Sequence, residues 1–154
     1  VCSDLCGRNI AVVDAYTHLL AFSRMDGAKI TSVNIAMDKA FTAAGHRIPT
    51  SSYKEVVWSG GAAYGINHTN GGRFCTIGGG VPIIDREGNV LGAIGCSTGT
   101  PTQDEECSNA GKKAVLDLIE CERVEAVAAA KRKIASIGAD FKHTEAILVE
   151  EIVA

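Results

Sequence analysis

No apolar run in this chain approaches the roughly 18 residues that a membrane-spanning helix needs. No block of lysine and arginine stands out either, and the formal net charge is −3. The first absence argues against a membrane partner. The second argues against nucleic acid, which is held by clustered cations. The opening VCSDLCGRN lacks the apolar stretch of a signal peptide. The chain begins on Val rather than Met, which reads as processing or as a missing start. Its six cysteines (Cys2, Cys6, Cys75, Cys96, Cys107, Cys121) include no C-x-x-C pair, so zinc is not indicated. With 46% hydrophobic residues, the chain does not need disulfide staples. The cysteines are expected as buried or half-buried reduced thiols, in a cytoplasmic, reducing location. No H-E-x-x-H pair, repeat or low-complexity segment occurs. These exclusions leave one ordinary globular domain with a real core.

The patterning that is present alternates short apolar runs with glycine-rich turns. Asn9 to Val13 (NIAVV) and His18 to Ser23 (HLLAFS) read as two strands, broken at Tyr16-Thr17 and paired as a hairpin. Val33, Met37, Ala40, Phe41 and Ala44 follow at helical spacing. Thr31 or Ser32 suits the cap of that helix, Gly45 its C-terminal glycine, and Pro49 follows. Ser52 to Glu55 has the form of a capping box opening a short helix. The stretch from Gly60 to Gly72 reads as a long surface loop. Arg73 to Ile77, Val81 to Ile84 and Val90 to Cys96 are strand-like, with a turn over Asp85 to Asn89. Thr100, Pro101 and Gln103 then open a helix, and no proline interrupts it as far as Ile137. The tail TEAILVEEIVA fits a strand or a helix, with the strand favoured. The sum is a mainly antiparallel sheet flanked by helices.

Gly95-Cys96-Ser97-Thr98-Gly99 spells G-x-S-x-G, the pattern of a hydrolase nucleophile elbow. In such an elbow the helix follows the serine at once. Here the cap signals delay it to Thr100 or Pro101, and only His143 is left downstream as a partner. The physical alternative is an anion-friendly bend, made of backbone N–H groups from Ser97 to Thr100 before a helix N-terminus. Gly95 and Gly99 would let the backbone approach a ligand closely. Arg24 suits pairing with a carboxylate ligand or with Asp26. Lys39 is either solvated on an outer face or turned toward a pocket. His18, His46 and His68 form no ligand cluster in sequence.

Three longer stretches carry a resemblance: VVDAYTHLLAFSRMDGA, AMDKAFTAAGHRIPT and GGGVPIIDREGNVLGAIGCSTGTPTQDEECSNAG. Together they resemble the HbpS/GlcG-like family of small haem-binding proteins, over about Asn9 to Leu118. The same module looks like the C-terminal domain of PduO-type corrinoid adenosyltransferases. The resemblance implies an α+β, profilin-like sandwich in which a central antiparallel sheet is flanked by helices. It implies one domain over residues 1–154, with 119–154 as a C-terminal helical extension. It also implies homo-oligomers, from dimers up to octamers, and a bound haem or corrinoid. His18 matches the family's V-V-D-x-x-G-H-L histidine, an axial metal ligand. Arg24, Asp26 and Gly27 match R-M-D-G, and Lys39 and Thr42 match K-A-x-T. Gly79, Gly80 and Pro82 match G-G-x-P. Gly95, Ser97, Gly99, Thr100 and Asp104 match G-V-S-G-G-T-x-x-Q-D.

Three departures stand out. Tyr16-Thr17 replaces Ala/Gly-Gly, and Thr98 replaces a glycine. The family's opening helix is missing before the first strand, while EAVAAAKRKIASIGADF near the C-terminus reads like it. That segment is expected to fill the same layer by permutation or by exchange between subunits.

Three functions follow as expectations. The first is a tetrapyrrole-binding protein whose cofactor site holds His18, Arg24, Lys39, Gly79, Gly80, Ser97, Gly99 and Thr100. The second is an enzyme acting on a small polar or aromatic metabolite at a subunit-interface pocket, with His18, Arg24, Lys39 and Ser97 as acid–base and anchoring groups. The third is an assembly module. The first two place His18 and the 95–100 bend in one pocket.

Overall fold

The computed structural model describes residues 7–153, with side chains from 7 to 137. Four antiparallel strands form one sheet in the order β2-β1-β4-β3. β1 (Asn9–Asp14) and β2 (Leu19–Arg24) make the expected hairpin. β3 (Gly80–Ile84) and β4 (Val90–Ser97) make a second one across the Asp85–Asn89 turn. β1 and β4 are the central pair, with Asn9 opposite Ser97 at one end and Asp14 opposite Gly92 at the other. Helix α1 (Ser32–His46) connects the hairpins, and helix α2 (Pro101–Val153) follows β4.

The period of two along β1 distributes the core to both faces. Ala11 and Val13, with Ala93 of β4, pack on Ala36, Ala40, Ala43 and Ala44 of α1. Ile10 and Val12 point the other way, toward Ile83, Ile94 and Cys96, where Cys107 and Leu116 of α2 cover them. The expected α+β sandwich is therefore present, with a helix on each face. Small residues set how closely α1 lies. A Cβ on Gly95 would stand 2.1 Å from the Ala36 carbonyl oxygen, and one on Gly80 would stand 2.3 Å from that of Lys39. The contact stripe of α1 consequently runs through Ala36, Lys39, Ala40 and Ala43, while Val33, Met37 and Phe41 are only half-buried.

Four local expectations change. Helix α1 passes through Gly45, and Arg47 takes the left-handed terminal position at φ 63°, its N–H donating to Ala43. Pro49 explains the stop there, because it drives the residue before it out of helical conformation. The segment after Pro49 is a 3₁₀ turn, Thr50–Tyr53, with no side-chain cap. The Thr50 hydroxyl is used elsewhere: it donates to the Ile77 carbonyl (2.7 Å) and accepts from the Gly80 N–H (2.9 Å). Arg73 to Ile77 is not a strand. The sheet ends at β3, so this segment is held by the hydroxyls of Thr42 and Thr50 in place of a ladder. Phe74 anchors it, buried edge-on against His46 and Tyr53.

The tail is helical through Val153 rather than a strand. Its Glu, Ala and Leu residues favour a helix, and no proline interrupts them. By packing, the chain divides after Leu116. The second unit is the remainder of α2. Glu125 to Ile137 is helical, and its side chains are exposed apart from the half-buried Ala128. The segment expected to fill the layer of the family's opening helix belongs to this second unit.

The glycine contacts generate a stability prediction. Gly95→Ala forces β4 and α1 apart and should cost about 1–3 kcal/mol. Urea unfolding should show a lower midpoint with an unchanged slope.

Candidate functional site

Lys39 lies at the centre of a buried polar cluster where β3 begins and β4 ends. Its side chain is 1% exposed, and Nζ donates to Asp104 Oδ2 (2.9 Å) and to the Cys96 carbonyl (2.9 Å). Asp104 Oδ1 accepts from the Gly99 N–H (2.9 Å) and lies 3.8 Å from Arg8 Nε. Asp104 is placed by the start of α2, where Thr100 and Gln103 exchange the two reciprocal bonds of the expected capping box. The neighbouring glycines clear space for this cluster. A Cβ on Gly79 would lie 2.8 Å from Lys39 Nζ and 2.7 Å from Asp104 Cβ, and one on Gly99 would meet the Arg8 guanidinium at 2.8 Å. Ser108 Oγ donates to the Gly79 carbonyl at 2.7 Å.

Six of the expected site residues therefore do converge: Lys39, Gly79, Gly80, Ser97, Gly99 and Thr100. Lys39 and the glycines beside it form a buried ion-paired cluster with Asp104, Ser97 is buried next to it, and Thr100 is exposed at the helix cap. Ser97 is buried at the end of β4. No elbow forms, and the side chain of His143 lies outside the described residues. Thr98, in the position of the family's glycine, adopts φ 127°. Asn9 Nδ2 donates to its hydroxyl at 3.0 Å, which offsets part of the strain.

His18 lies elsewhere. The β1–β4 register puts the 97–100 bend beside Asn9 and the His18 turn beyond Asp14. Those ends are five strand residues apart, roughly 16 Å. Arg24 pairs with Asn9 and so belongs to the end away from His18, exposed at the edge. The shared pocket is not formed within one chain. The reason is topological: a tight hairpin returns β2 alongside β1, so residues at the hairpin tip and residues at its open end cannot meet.

At the tip, His18 belongs to a constellation that its spacing did not reveal. Asp14 Oδ1 accepts from the N–H groups of Tyr16 (2.8 Å) and His18 (2.9 Å). Its Oδ2 faces His18 Nδ1 at 3.3 Å. The His18 backbone N–H chiefly, with that of Tyr16 and the imidazole, holds the Asp14 carboxyl below its ordinary pKa, against partial desolvation. The imidazole is 79% exposed. In the tautomer that carries its proton on Nδ1, toward the carboxylate, Nε2 has the lone pair that a metal needs. Tyr16, Leu19 and Leu20, neighbours of His18 in sequence, are exposed apolar side chains. Thr17 holds the turn at φ 71°, where the family's glycine would fit without strain. The D-x-x-x-H spacing was the available signal for Asp14.

The model of haem-degrading HbpS-like proteins matches residues 5–113. The chain belongs to the HbpS-like family. This HbpS-like chain is 42% identical, over 94 residues, to a 15.0 kDa protein of Citrobacter freundii encoded between dhaT and dhaS. The match covers 61% of this chain and 66% of that protein. It is 38% identical over 89 residues to GlcG of Escherichia coli K12, covering 58% of this chain and 63% of GlcG. The chain thus spans less than two thirds of these curated relatives. Among solved structures it is similar to the PduOC:haem complex, at 30% identity and TM-score 0.66, covering 70% of this chain and 78% of that one. Among the described residues no group of three or more His, Cys, Asp or Glu is placed to hold a metal ion. A metal carried within a macrocycle needs only an axial ligand from the protein.

The buried cluster can be tested through its asymmetry. Asp104 faces two cations, so Asp104→Asn removes the charge between Lys39 and Arg8 and turns one of its two acceptor oxygens into a donor, so that Lys39 and the Gly99 N–H can no longer both be served. Its cost should be about 3–5 kcal/mol, as for other broken buried pairs. Lys39→Met leaves Asp104 with Arg8 and should cost less. Chemical denaturation of both variants gives the order.

Proposed function

We propose that this HbpS-like protein binds a tetrapyrrole, haem in the first place, at the tip of the β1–β2 hairpin, with His18 Nε2 as the axial ligand. The observation that carries this reading is the Asp14–His18 dyad. An imidazole is fixed through Nδ1 by a carboxylate that is itself anchored by two backbone N–H groups, and it is exposed on a turn whose neighbouring residues Tyr16, Leu19 and Leu20 are apolar and exposed too. A carboxylate that accepts from the other ring nitrogen is how proteins orient metal-binding histidines. The exposed Tyr16, Leu19 and Leu20 offer apolar surface to the face of a macrocycle. Bound haem supplies an iron centre for ligand and electron chemistry. The protein's part is to orient one nitrogen and shield one face.

Lys39 does not serve the propionates in this reading, because Asp104 holds it in the core. Arg24, Gly99 and Thr100 would reach a ligand held at His18 only from a second copy. Self-association has its own support. β2 is an edge strand with every residue exposed, and Leu20 and Phe22 on it are large and apolar. Unpaired apolar edges of this kind are commonly covered by a partner. The reading places the chain as a homo-oligomer in the cytoplasm. Among the described residues no helix is long and apolar enough to cross a membrane. The enzyme reading loses two of its four named groups to burial, Lys39 and Ser97.

Titration with haemin should give a Soret shift that saturates. His18→Ala should abolish it, and Asp14→Asn should weaken binding by about 10–100-fold. An unshifted Soret band in the wild type would remove haem. A spectral change with hydroxocobalamin alone would assign a corrinoid instead.

A further inference from the structure

Cys96 and Cys107 meet on the face of the sheet covered by α2. Cys96 is fully buried on β4, in contact with Ile83 and Ile94. Cys107 is half-buried one turn after Asp104 and packs on the same cluster. The two thus share one packed cluster between the sheet and the helix. Neither serves the buried ion cluster through its sulfur, and neither lies at the His18 tip. A central strand and the first turns of a helix thus each bring a free cysteine to one packed cluster, one of them half-exposed.

We infer that Cys96 and Cys107 form an oxidisable dithiol, a modification site that takes a peroxide and closes as a disulfide. The half-exposed Cys107 thiolate attacks one peroxide oxygen. The S–O bond forms, the O–O bond breaks, and hydroxide leaves to become water. Cys96 sulfur then attacks Cys107 sulfur. The S–S bond forms, the S–O bond breaks, and the departing hydroxide takes the Cys96 proton as water. Overall, two thiols lose two electrons and two protons, and one hydrogen peroxide becomes two waters.

The charged and polar surroundings divide the labour between the sulfurs. The Cys96 thiol donates to Cys107, and that bond, aided by the Arg8 cation against burial and Asp104, brings Cys107 down to about 7. The same bond and burial push Cys96 upward, against the Ser108 hydroxyl. Cys107 is then the attacking thiolate near neutral pH and Cys96 the resolving thiol, the pairing typical of oxidant-sensitive cysteines. Cys75 differs, since burial pushes its thiol up. A closed bridge would enclose Ser97 to Glu106, including the cap and Asp104. Oxidation would thereby tie the start of α2 to β4 beside the buried ion pair.

The test uses the full chain, iodoacetamide and hydrogen peroxide, read by peptide mass spectrometry. Cys107 should alkylate with a midpoint near pH 7, against about 8.5 for a cysteine in an unstructured peptide. Peroxide should yield a Cys96–Cys107 linked peptide, lighter by two hydrogens and restored by dithiothreitol. Cys107→Ser should remove the link and leave Cys96 unoxidised. In Cys96→Ala, Cys107 should accumulate as a sulfenic acid that dimedone traps. Wild-type mapping decides alone should either variant fail to fold. Overoxidation of Cys107 without a link, links to other cysteines only, or an unchanged Cys96–Cys107 pair would each overturn the inference.

Discussion

The ion pair between Lys39 and Asp104 is the constraint on which the rest of this fold depends. Lysine comes from the helix on one face of the sheet and aspartate from the helix on the other. They meet around the end of β3 and β4, at 2.9 Å and with almost no exposure. Two charges removed from water are tolerable only if each finds several partners. The local sequence is organised to provide them: the Cys96 carbonyl for lysine, and the Gly99 N–H and Arg8 for aspartate. The absence of side chains at Gly79, Gly80 and Gly99 makes the meeting possible. In this chain, glycines from motifs that resemble a ligand cradle in sequence make room for a buried charge.

The strands, the antiparallel hairpins and the α2 cap were legible because their signals are local. Alternation, a D-R-E-G-N turn and T-P-x-Q each act over a few residues. Arg47 ending α1 in place of Gly45, and threonine hydroxyls holding Arg73 to Ile77, were not legible, because contacts distant in sequence decide them. Lys39 shows the limit most clearly. Its spacing left an outer face or a pocket open, and neither anticipates full burial against a residue 65 positions away. His18 was found by resemblance. Its Asp14 partner was visible only as a D-x-x-x-H spacing, which acquires meaning once the hairpin folds it into a turn.

The separation between these two places shapes the functional reading. One end of the central strands is closed, charged and internal. The other carries a single oriented imidazole on an apolar rim. A rigid interior and an accessible nitrogen are complementary demands, because a ligand atom on a turn is only as well placed as the strands beneath it. Thr17 and Thr98 hold positive φ values at opposite ends of the sheet, so local strain is retained at both.

The bare edge of β2 has a consequence for how the protein behaves as it is made. A strand with solvent on every residue contributes little to holding a lone chain together. If a second copy covers it, folding and assembly become linked by mass action, and thermal resistance rises with the amount of protein present. Newly synthesised chains at low abundance would then be the most vulnerable to proteases, and accumulation itself would protect them.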